Sequence, residues 1–316
     1  MSSILLTGGA GYIGSHTCLI LLENGFDVFV IDSFVNSDKT NLDKIKIYFK
    51  KKYPEFSNNL YLFQGDIRDY ALVNKIFFED KNKKKEIKAV IHFAGLKSVN
   101  CSINNPLTYW DNNLNGTISL VKSMLKNKCS TLVFSSSASI YEPNTNELIK
   151  ENTKIKPNNP YGKTKASIEN FLEDIYMSNS NNWKIANLRY FNPVGAHTSG
   201  LIGEINSEKI TNLFPKILQV ALGQRSSIDI FGNDWPSKDG TCIRDYIHVA
   251  DLAEGHMKTL NYLFLKEKEF ININLGTGIG KTVLEVIQTL LMGFPVVVAH
   301  LINLDECKLV SVLKLL

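Results

Sequence analysis

The feature that most constrains this chain is the turn Gly8-Gly9-Ala10-Gly11-Tyr12-Ile13-Gly14. It follows an apolar run at residues 4–7 and opens a helical pattern carried by Ile13, Leu19, Ile20 and Leu22, which ends near Gly25. A second apolar run at 28–31 closes on Asp32. Strand, glycine turn, helix and strand within about thirty residues predict the opening of a parallel sheet with a dinucleotide site. Glycines let the backbone approach a pyrophosphate. The helix N-terminus offers it free N–H groups and the positive end of a dipole. A carboxylate at Asp32 would accept both hydroxyls of an adenosine ribose and repel a 2′-phosphate, so NAD is expected over NADP.

The alternation continues downstream. Apolar runs at 61–63, 89–93, 132–134 and 185–188 read as strands, with helical stretches near 69–79, 107–126 and 160–177 between them. Apolar strands separated by helices bury both faces of a sheet, and right-handed crossovers wind it in two directions. The expected fold class is α/β, a doubly wound Rossmann-type parallel sheet over 1–189. Gly, Asn, Pro and Ser become frequent after Tyr190. A helix near 208–222, a strand near 228–231 and a helix near 249–264 follow. Residues 190–316 are therefore expected to form a smaller C-terminal substrate-binding lobe.

Composition removes other classes. With 44% hydrophobic and 21% charged residues the chain is an ordinary globular protein. Its net charge of +4 is too small to argue for nucleic acid or an anionic membrane. Cysteines at 18, 101, 129, 242 and 307 are odd in number and dispersed, which predicts a reducing, cytoplasmic setting and no disulfide framework. The His residues lack metal-ligand spacing, so no metal is expected. The uncharged stretch 286–304 is interrupted by Gln288, Pro295, His300 and Asn303, and a membrane span is not expected there.

Two further motifs carry chemistry. In Tyr161-Gly162-Lys163-Thr164-Lys165 the spacing of four puts Tyr161 and Lys165 on one helix face. A free tyrosine is a poor base at neutral pH, and an ammonium nearby would lower its pKa. Ser135-Ser136-Ser137-Ala138-Ser139 follows a strand directly, where an open α/β sheet presents ligands. Ser137 can there bond a substrate hydroxyl and relay its proton.

Together with VIHFAGLKSV (90–99), DNNLNGT (111–117), LRYFNPVGAH (188–197), IFGNDWPSKDGTCIRDYIHVADLA (230–253) and NLGTG (274–278), these motifs resemble the extended short-chain dehydrogenase/reductase family, in its branch of UDP-sugar 4-epimerases. The resemblance covers the chain from residue 4 to about Thr289. It implies a homodimer packing the helices near 107–126 and 160–177. It also implies NAD-dependent interconversion of UDP-glucose and UDP-galactose through transient oxidation at C4. Tyr161 matches the catalytic base, Lys165 its partner and Ser137 the relay. Gly8, Gly11, Tyr12, Ile13 and Gly14 match the pyrophosphate turn. Asp32 and Asn36 match contacts to adenosine, and Asp66 and Ile67 contacts to adenine. Phe93, Lys97 and Asn112 match further cofactor contacts. Tyr190, Phe191 and Asn192 match the junction of cofactor and substrate. Asn212, Leu213, Phe231 and Arg244 match the residues that hold UDP. Arg244 suits a diphosphate on its own merits as one of four Arg, although an ion pair with Asp245 or Asp251 is an alternative use for it.

Three departures from that pattern stand out. Ser139 replaces a usual Thr and keeps the hydroxyl. Glu142 replaces a usual Gly, which would alter the loop if a positive φ were needed there. The run 290–316 contains no Arg, so the family's Arg-Arg-x-Gly-Asp segment, which contributes to UDP binding, has no match. From this, weak UDP-sugar binding and low activity are expected. The alternative is a non-catalytic NAD-binding protein that has lost its grip on substrate.

Overall fold

The computed structural model of the protein describes residues 2–54, 59–82, 85–143, 148–178, 182–204 and 212–293. The chain divides into two compact units: Met1–Ile205 with Ile247–Leu275, and Asn206–Tyr246 with Gly276–Leu316. The expectation about 290–316 lies outside the described residues beyond Gly293. Among the described residues no helix is long and apolar enough to cross a membrane.

The first unit is built on seven parallel strands: β1 (Ser3–Thr7), β2 (Asp27–Asp32), β3 (Leu60–Gln64), β4 (Ile87–His92), β5 (Thr131–Ser137), β6 (Lys184–Tyr190) and β9 (Glu269–Leu275), in the order β3-β2-β1-β4-β5-β6-β9. The chain runs outward from β1 to β3, then returns to β4 on the other side of β1. That reversal opens a crevice beyond the carboxyl ends of β1 and β4, where Gly8 and Phe93 follow their strands.

Side chains alternate across this sheet with period two. Ile4, Leu6, Val28, Val30, Ala89, Ile91, Val133, Ala186 and Leu188 face one way. They meet apolar residues of α1 (Tyr12–Glu23), α2 (Thr40–Lys52) and α9 (Val249–Phe264). Leu5, Phe29, Ile31, Val90, Leu132, Phe134 and Ile185 face the other way. Their partners lie on α3 (Tyr70–Asn82), α6 (Gly116–Lys126) and α7 (Pro160–Met177). Each fully buried side chain of this size contributes roughly 1.5–3 kcal/mol, so the strands are held by both layers. The expected doubly wound α/β fold is therefore the one observed.

Polar side chains cross this core where they tie elements together. Thr7 Oγ1 lies 2.6 Å from His92 Nδ1, His92 Nε2 lies 2.9 Å from Thr117 Oγ1, and Thr117 Oγ1 donates to the Asn113 carbonyl at 2.7 Å. The chain is consistent when His92 is neutral with its proton on Nε2. Burial pushes its pKa down to about 3.

The boundary expected at 189/190 needs correction. Residues 190–316 do not form one contiguous lobe, because α9 and β9 belong to the first unit. β9 pairs parallel with β6 from Lys184↔Glu269 to Tyr190↔Leu275 and completes the sheet. As an edge strand it reads Ile-Asn-Ile-Asn, without the continuous apolar run that marks its buried neighbours.

In the second unit, α8 (Leu213–Ala221) and α10 (Val283–Gly293) share a small core of Ile217, Ile228, Ile230, Val286 and Ile287. The helix expected over 208–222 is shorter in the described residues, beginning at Leu213, with 205–211 outside them. The strand expected near 228–231 does not form. Ile228 and Ile230 bury themselves in that core from an irregular segment, which satisfies the same apolar alternation without a ladder partner. β10 (Gly280–Thr282) pairs antiparallel with the Ile243–Asp245 part of β8 (Ile243–His248).

Candidate active site

The glycine turn leaves β1 at Gly8, whose φ of +70° suits glycine. A Cβ there would lie 2.6 Å from the Ala94 nitrogen, and one on Gly14 would lie 2.5 Å from the Gly8 carbonyl oxygen. Strand end, turn and helix start are thus packed backbone to backbone. Gly11 is the N-cap of α1 and supplies no side-chain cap, so the first turn of α1 presents its N–H groups without one. Tyr12 turns its hydroxyl away from the turn and donates to the Gly195 carbonyl at 2.5 Å. Asp32, buried at the end of β2, accepts from Ala10 N at 2.9 Å, Phe34 N at 3.0 Å and Ser37 Oγ at 2.8 Å. It is therefore locked to the turn. Phe34 holds a left-handed φ of 57°, a costly conformation for a bulky residue, beside Asp32 and the exposed Asn36.

Asp66, Ile67 and Phe93, three other expected cofactor residues, sit just beyond the carboxyl ends of their strands. Asp66 follows β3 and is held by Arg68, whose guanidinium keeps the carboxyl below its ordinary pKa. Ile67 is buried and lies close against Gly116. Phe93 follows β4, with its ring centroid 4.9 Å from that of His256. Lys97 is exposed and 3.5 Å from Glu204. Asn112 lies in a π-helical turn, Trp110–Asn115, between α5 (Pro106–Tyr109) and α6.

Ser137, Tyr161 and Lys165 come together. Ser137 is the last residue of β5, and its Oγ accepts from Ser139 N at 3.1 Å. Helix α7 begins on Asn159, whose side chain accepts from Gly162 N at 2.8 Å, with Pro160 fixing the first turn. This start aims Tyr161 at Ser137. Burial pushes the Tyr161 phenol up, a hydrogen bond from Ser137 opposes the shift, and Tyr109 adds to it. Lys165 is almost solvent-free, and its Nζ donates to the Ser135 carbonyl at 2.6 Å. Nζ also stands 4.8 Å from the Phe134 ring centroid and 5.9 Å from that of Tyr161. Burial lowers its pKa to about 8, against the opposing charge of Glu169.

From the spacing alone, the ammonium is expected to lower the phenol. Here burial dominates both groups, raising the phenol and lowering the amine, so two proton affinities that lie close together in water are moved apart. Tyr190 ends β6 and shares a short hydrogen bond with His256 Nε2. His256 Nδ1 lies 2.8 Å from the Leu252 carbonyl, so its proton sits on Nδ1 and Tyr190 donates to Nε2. Phe191 follows with its N–H donating to the Leu275 carbonyl at 3.1 Å, and Asn192 is exposed on β7 (Asn192–Val194).

The expected UDP residues all lie in the second unit. Asn212 is the N-cap of α8 and Leu213 its first residue. Phe231 is exposed, with the Lys216 ammonium 5.7 Å from its ring centroid. Arg244 is exposed and its Nη1 donates to the Ile243 carbonyl at 2.8 Å. Asp245, the partner considered for it, accepts instead from Thr277 N, Thr277 Oγ1 and Gly278 N at 2.7–2.8 Å.

Two residues escaped the sequence reading. Asn113 is buried in the π-helical turn. Its Oδ1 accepts from Leu96 N at 2.8 Å, and its Nδ2 donates to the Leu96 carbonyl and Thr164 Oγ1, both at 3.1 Å. It ties the segment after β4 to α7, and a single Asn in an Asn-rich sequence carries no signal of that. Arg189 is the other, hidden inside a strand. The Glu142 departure is harmless to the backbone. Glu142 is not among the residues with positive φ; its N–H donates to the Lys154 carbonyl at 3.0 Å and its carboxylate accepts from Lys156 at 2.7 Å.

Fold and site define a nucleotide-dependent enzyme of the short-chain dehydrogenase type. The NAD dependent epimerase/dehydratase family matches residues 4–276, and the chain belongs to that family. Among curated relatives it is 47% identical over 285 residues to UDP-glucose 4-epimerase 2 of Arabidopsis thaliana, covering 90% of this chain and 79% of that protein. It is 48% identical over 292 residues to the bifunctional protein GAL10 of Pachysolen tannophilus, of whose length it spans 40%. A crystal structure of UDP-glucose 4-epimerase from Stenotrophomonas maltophila, with bound NAD and formylated UDP-arabinopyranose, matches with a TM-score of 0.84 at 41% identity. That match covers 92% of this chain and 83% of the other.

Proposed function

We propose that this chain interconverts UDP-glucose and UDP-galactose by inverting the sugar at C4 while retaining NAD. The observation that carries this reading is the meeting of Ser137, Tyr161 and Lys165 at the carboxyl end of β5, in the unit that also holds the glycine turn and Asp32. The ligands named for the Stenotrophomonas enzyme support the same ligand classes here.

The residues present fit NAD. Gly8 and Gly14 leave no room for a side chain, and α1 begins on an uncapped glycine, as a pyrophosphate cradle requires. Asp32, Asn36, Asp66 and Ile67 would hold the adenosine half, and Phe93, Lys97, Asn112, Lys165 and Tyr190 the remainder. Bound there, NAD supplies a reversible hydride acceptor. Tyr161 takes the proton of the C4 hydroxyl and Ser137 relays it. Lys165 keeps a positive charge beside the developing phenolate. Tyr190, Phe191 and Asn192 would line the sugar's space. In the second unit the open ring of Phe231 suits a flat base, and Arg244 suits a phosphate, with Asn212 and Leu213 at the start of α8 as further contacts. After Ser137 come Ala138 and Ser139, so there is no carboxylate pair at that place for eliminating water.

The epimerase names of the relatives favour this reading over a non-catalytic NAD-binding protein. A homodimer is supported by the exposed apolar side chains Val99, Ile103, Leu107 and Met177 on α4 (Val99–Asn104), α5 and α7. A cytoplasmic location is supported by the free state of Cys18, Cys101, Cys129 and Cys242. The deciding experiment is conversion of UDP-galactose to UDP-glucose by the purified chain without added NAD. Failure even with NAD supplied overturns the reading.

A further inference from the structure

Arg189 and Glu169 form an ion pair that the reaction outlined above does not use. Arg189 is 2% exposed and Glu169 4%. They meet through two bonds, Nε to Oε1 at 3.1 Å and Nη2 to Oε2 at 2.7 Å. Glu169 also accepts from Ser136 Oγ. Arg189 Nη1 donates to Tyr141 Oη at 2.9 Å and to the Glu151 carbonyl at 2.8 Å, and Tyr141 in turn donates to Asn274 Oδ1. Taking two charges out of water is expensive, and apolar residues of similar volume often stabilise a core better. The pair therefore calls for a reason beyond stability.

Its position supplies one. Glu169 lies four residues after Lys165 and eight after Tyr161, on the same face of α7. Ser136 precedes Ser137 and Arg189 precedes Tyr190, and the two strands pair Ser136↔Arg189 and Ser137↔Tyr190. One carboxylate thus touches β5 and β6 at the residues next to the reacting groups, from the helix that carries the base. We propose that Glu169, anchored by Arg189, is a positioning residue that seats α7 on β5 and β6 and keeps a negative charge beside the Lys165 ammonium. This rests on the epimerase reading for its role in turnover, though not for its effect on Lys165.

The groups facing Lys165 are few. Tyr161 and Glu169 come from α7, the Ser135 carbonyl and Phe134 ring from β5, and His92 from β4, with Arg189 on β6 beyond Glu169. His92 stays neutral well below pH 6, and Glu169 is the negative one. Burial lowers Lys165 and Glu169 opposes it. Without Glu169, burial and an unneutralised Arg189 act on the amine together.

The test uses the full-length chain as Glu169→Gln, Glu169→Asp and the double variant Glu169→Gln/Arg189→Met, the last leaving no orphaned charge if the single Gln variant does not fold. Lys165 is titrated by carbon NMR of lysine-labelled protein, its signal assigned by its loss in Lys165→Met. In Glu169→Gln the titration should fall by about one pH unit, a tenfold change in the ionised fraction. The alkaline limb of kcat for UDP-galactose should move with it, while KM changes less than about threefold. Asp should restore most of both, and the double variant should show a smaller shift in the same direction. A Lys165 titration unmoved in the folded variants overturns the proposal, as does a loss of kcat equal at every pH. If the wild-type chain does not turn over UDP-galactose, the epimerase reading fails and the Lys165 titration alone decides this one.

Discussion

In the proposed reaction Tyr161 is the proton acceptor, the residue on which the chemistry turns. Replacing it by Phe leaves the fold of α7 and removes the proton acceptor. Turnover of UDP-galactose should fall by at least ~10²–10⁴-fold, while calorimetric affinity for UDP stays within a few-fold. Lys165→Met should also slow turnover and move the onset of activity to higher pH, because the phenolate loses a cationic neighbour. Gly14→Ala tests the turn. Its methyl would sit 2.5 Å from the Gly8 oxygen and 2.7 Å from Gly9 Cα, so backbone must shift. The expected outcome is protein that releases little or no NAD on denaturation, where wild type should release about one per chain.

At the scale of elements, α7 does most to assemble the site. Its cap fixes where Tyr161 starts, and Gly162 permits a close approach, since a Cβ there would lie 2.4 Å from the Ser139 carbonyl oxygen. Asn159→Ala removes the cap bond and should cost ~1 kcal/mol of stability. In a chain of this size that lowers Tm by about 2 °C by calorimetry. A fall in kcat alongside, with KM unchanged, would mark the cap as aiming the base as well as holding the helix. The π-helical turn at Trp110–Asn115 is the second such element. Asn113 in it reaches both the segment after β4 and Thr164 on α7. Neither the turn nor the role of Asn113 was legible in advance, because a helical pattern of period 3.6 passes smoothly through one widened turn.

For the molecule as a whole, a large part of the pH dependence of stability follows from two buried histidines. His92 is held down to about 3 and His256 to about 4, each chiefly by burial. Their unfolded-state values lie near 6.5, so between roughly pH 6 and 4 the unfolded chain binds protons that the folded chain does not. Stability from these groups is complete above pH 6.5 and is lost as the pH falls. With both contributing, the slope near pH 5 should approach roughly 2.7 kcal/mol per pH unit. Urea midpoints measured from pH 7 to pH 5 check it. A flat profile over that range would mean that the two imidazoles charge in place.

Local and periodic properties were readable from sequence alone. The glycine turn, the apolar runs and the Tyr161/Lys165 spacing each depend on neighbours within a few residues, and they predicted the doubly wound sheet and the placing of Tyr161 and Lys165 on one face of α7. Properties that depend on distant partners were decided by tertiary structure. β9 joins the first unit because β6 offered it an open edge, and Ile228 and Ile230 found a core rather than a strand partner. Burial, which no residue carries by itself, overrode the expected effect of Lys165 on Tyr161. The same holds for Arg189 and Glu169: they stand twenty positions apart, and only the packing of α7 on the sheet makes one ion pair of them.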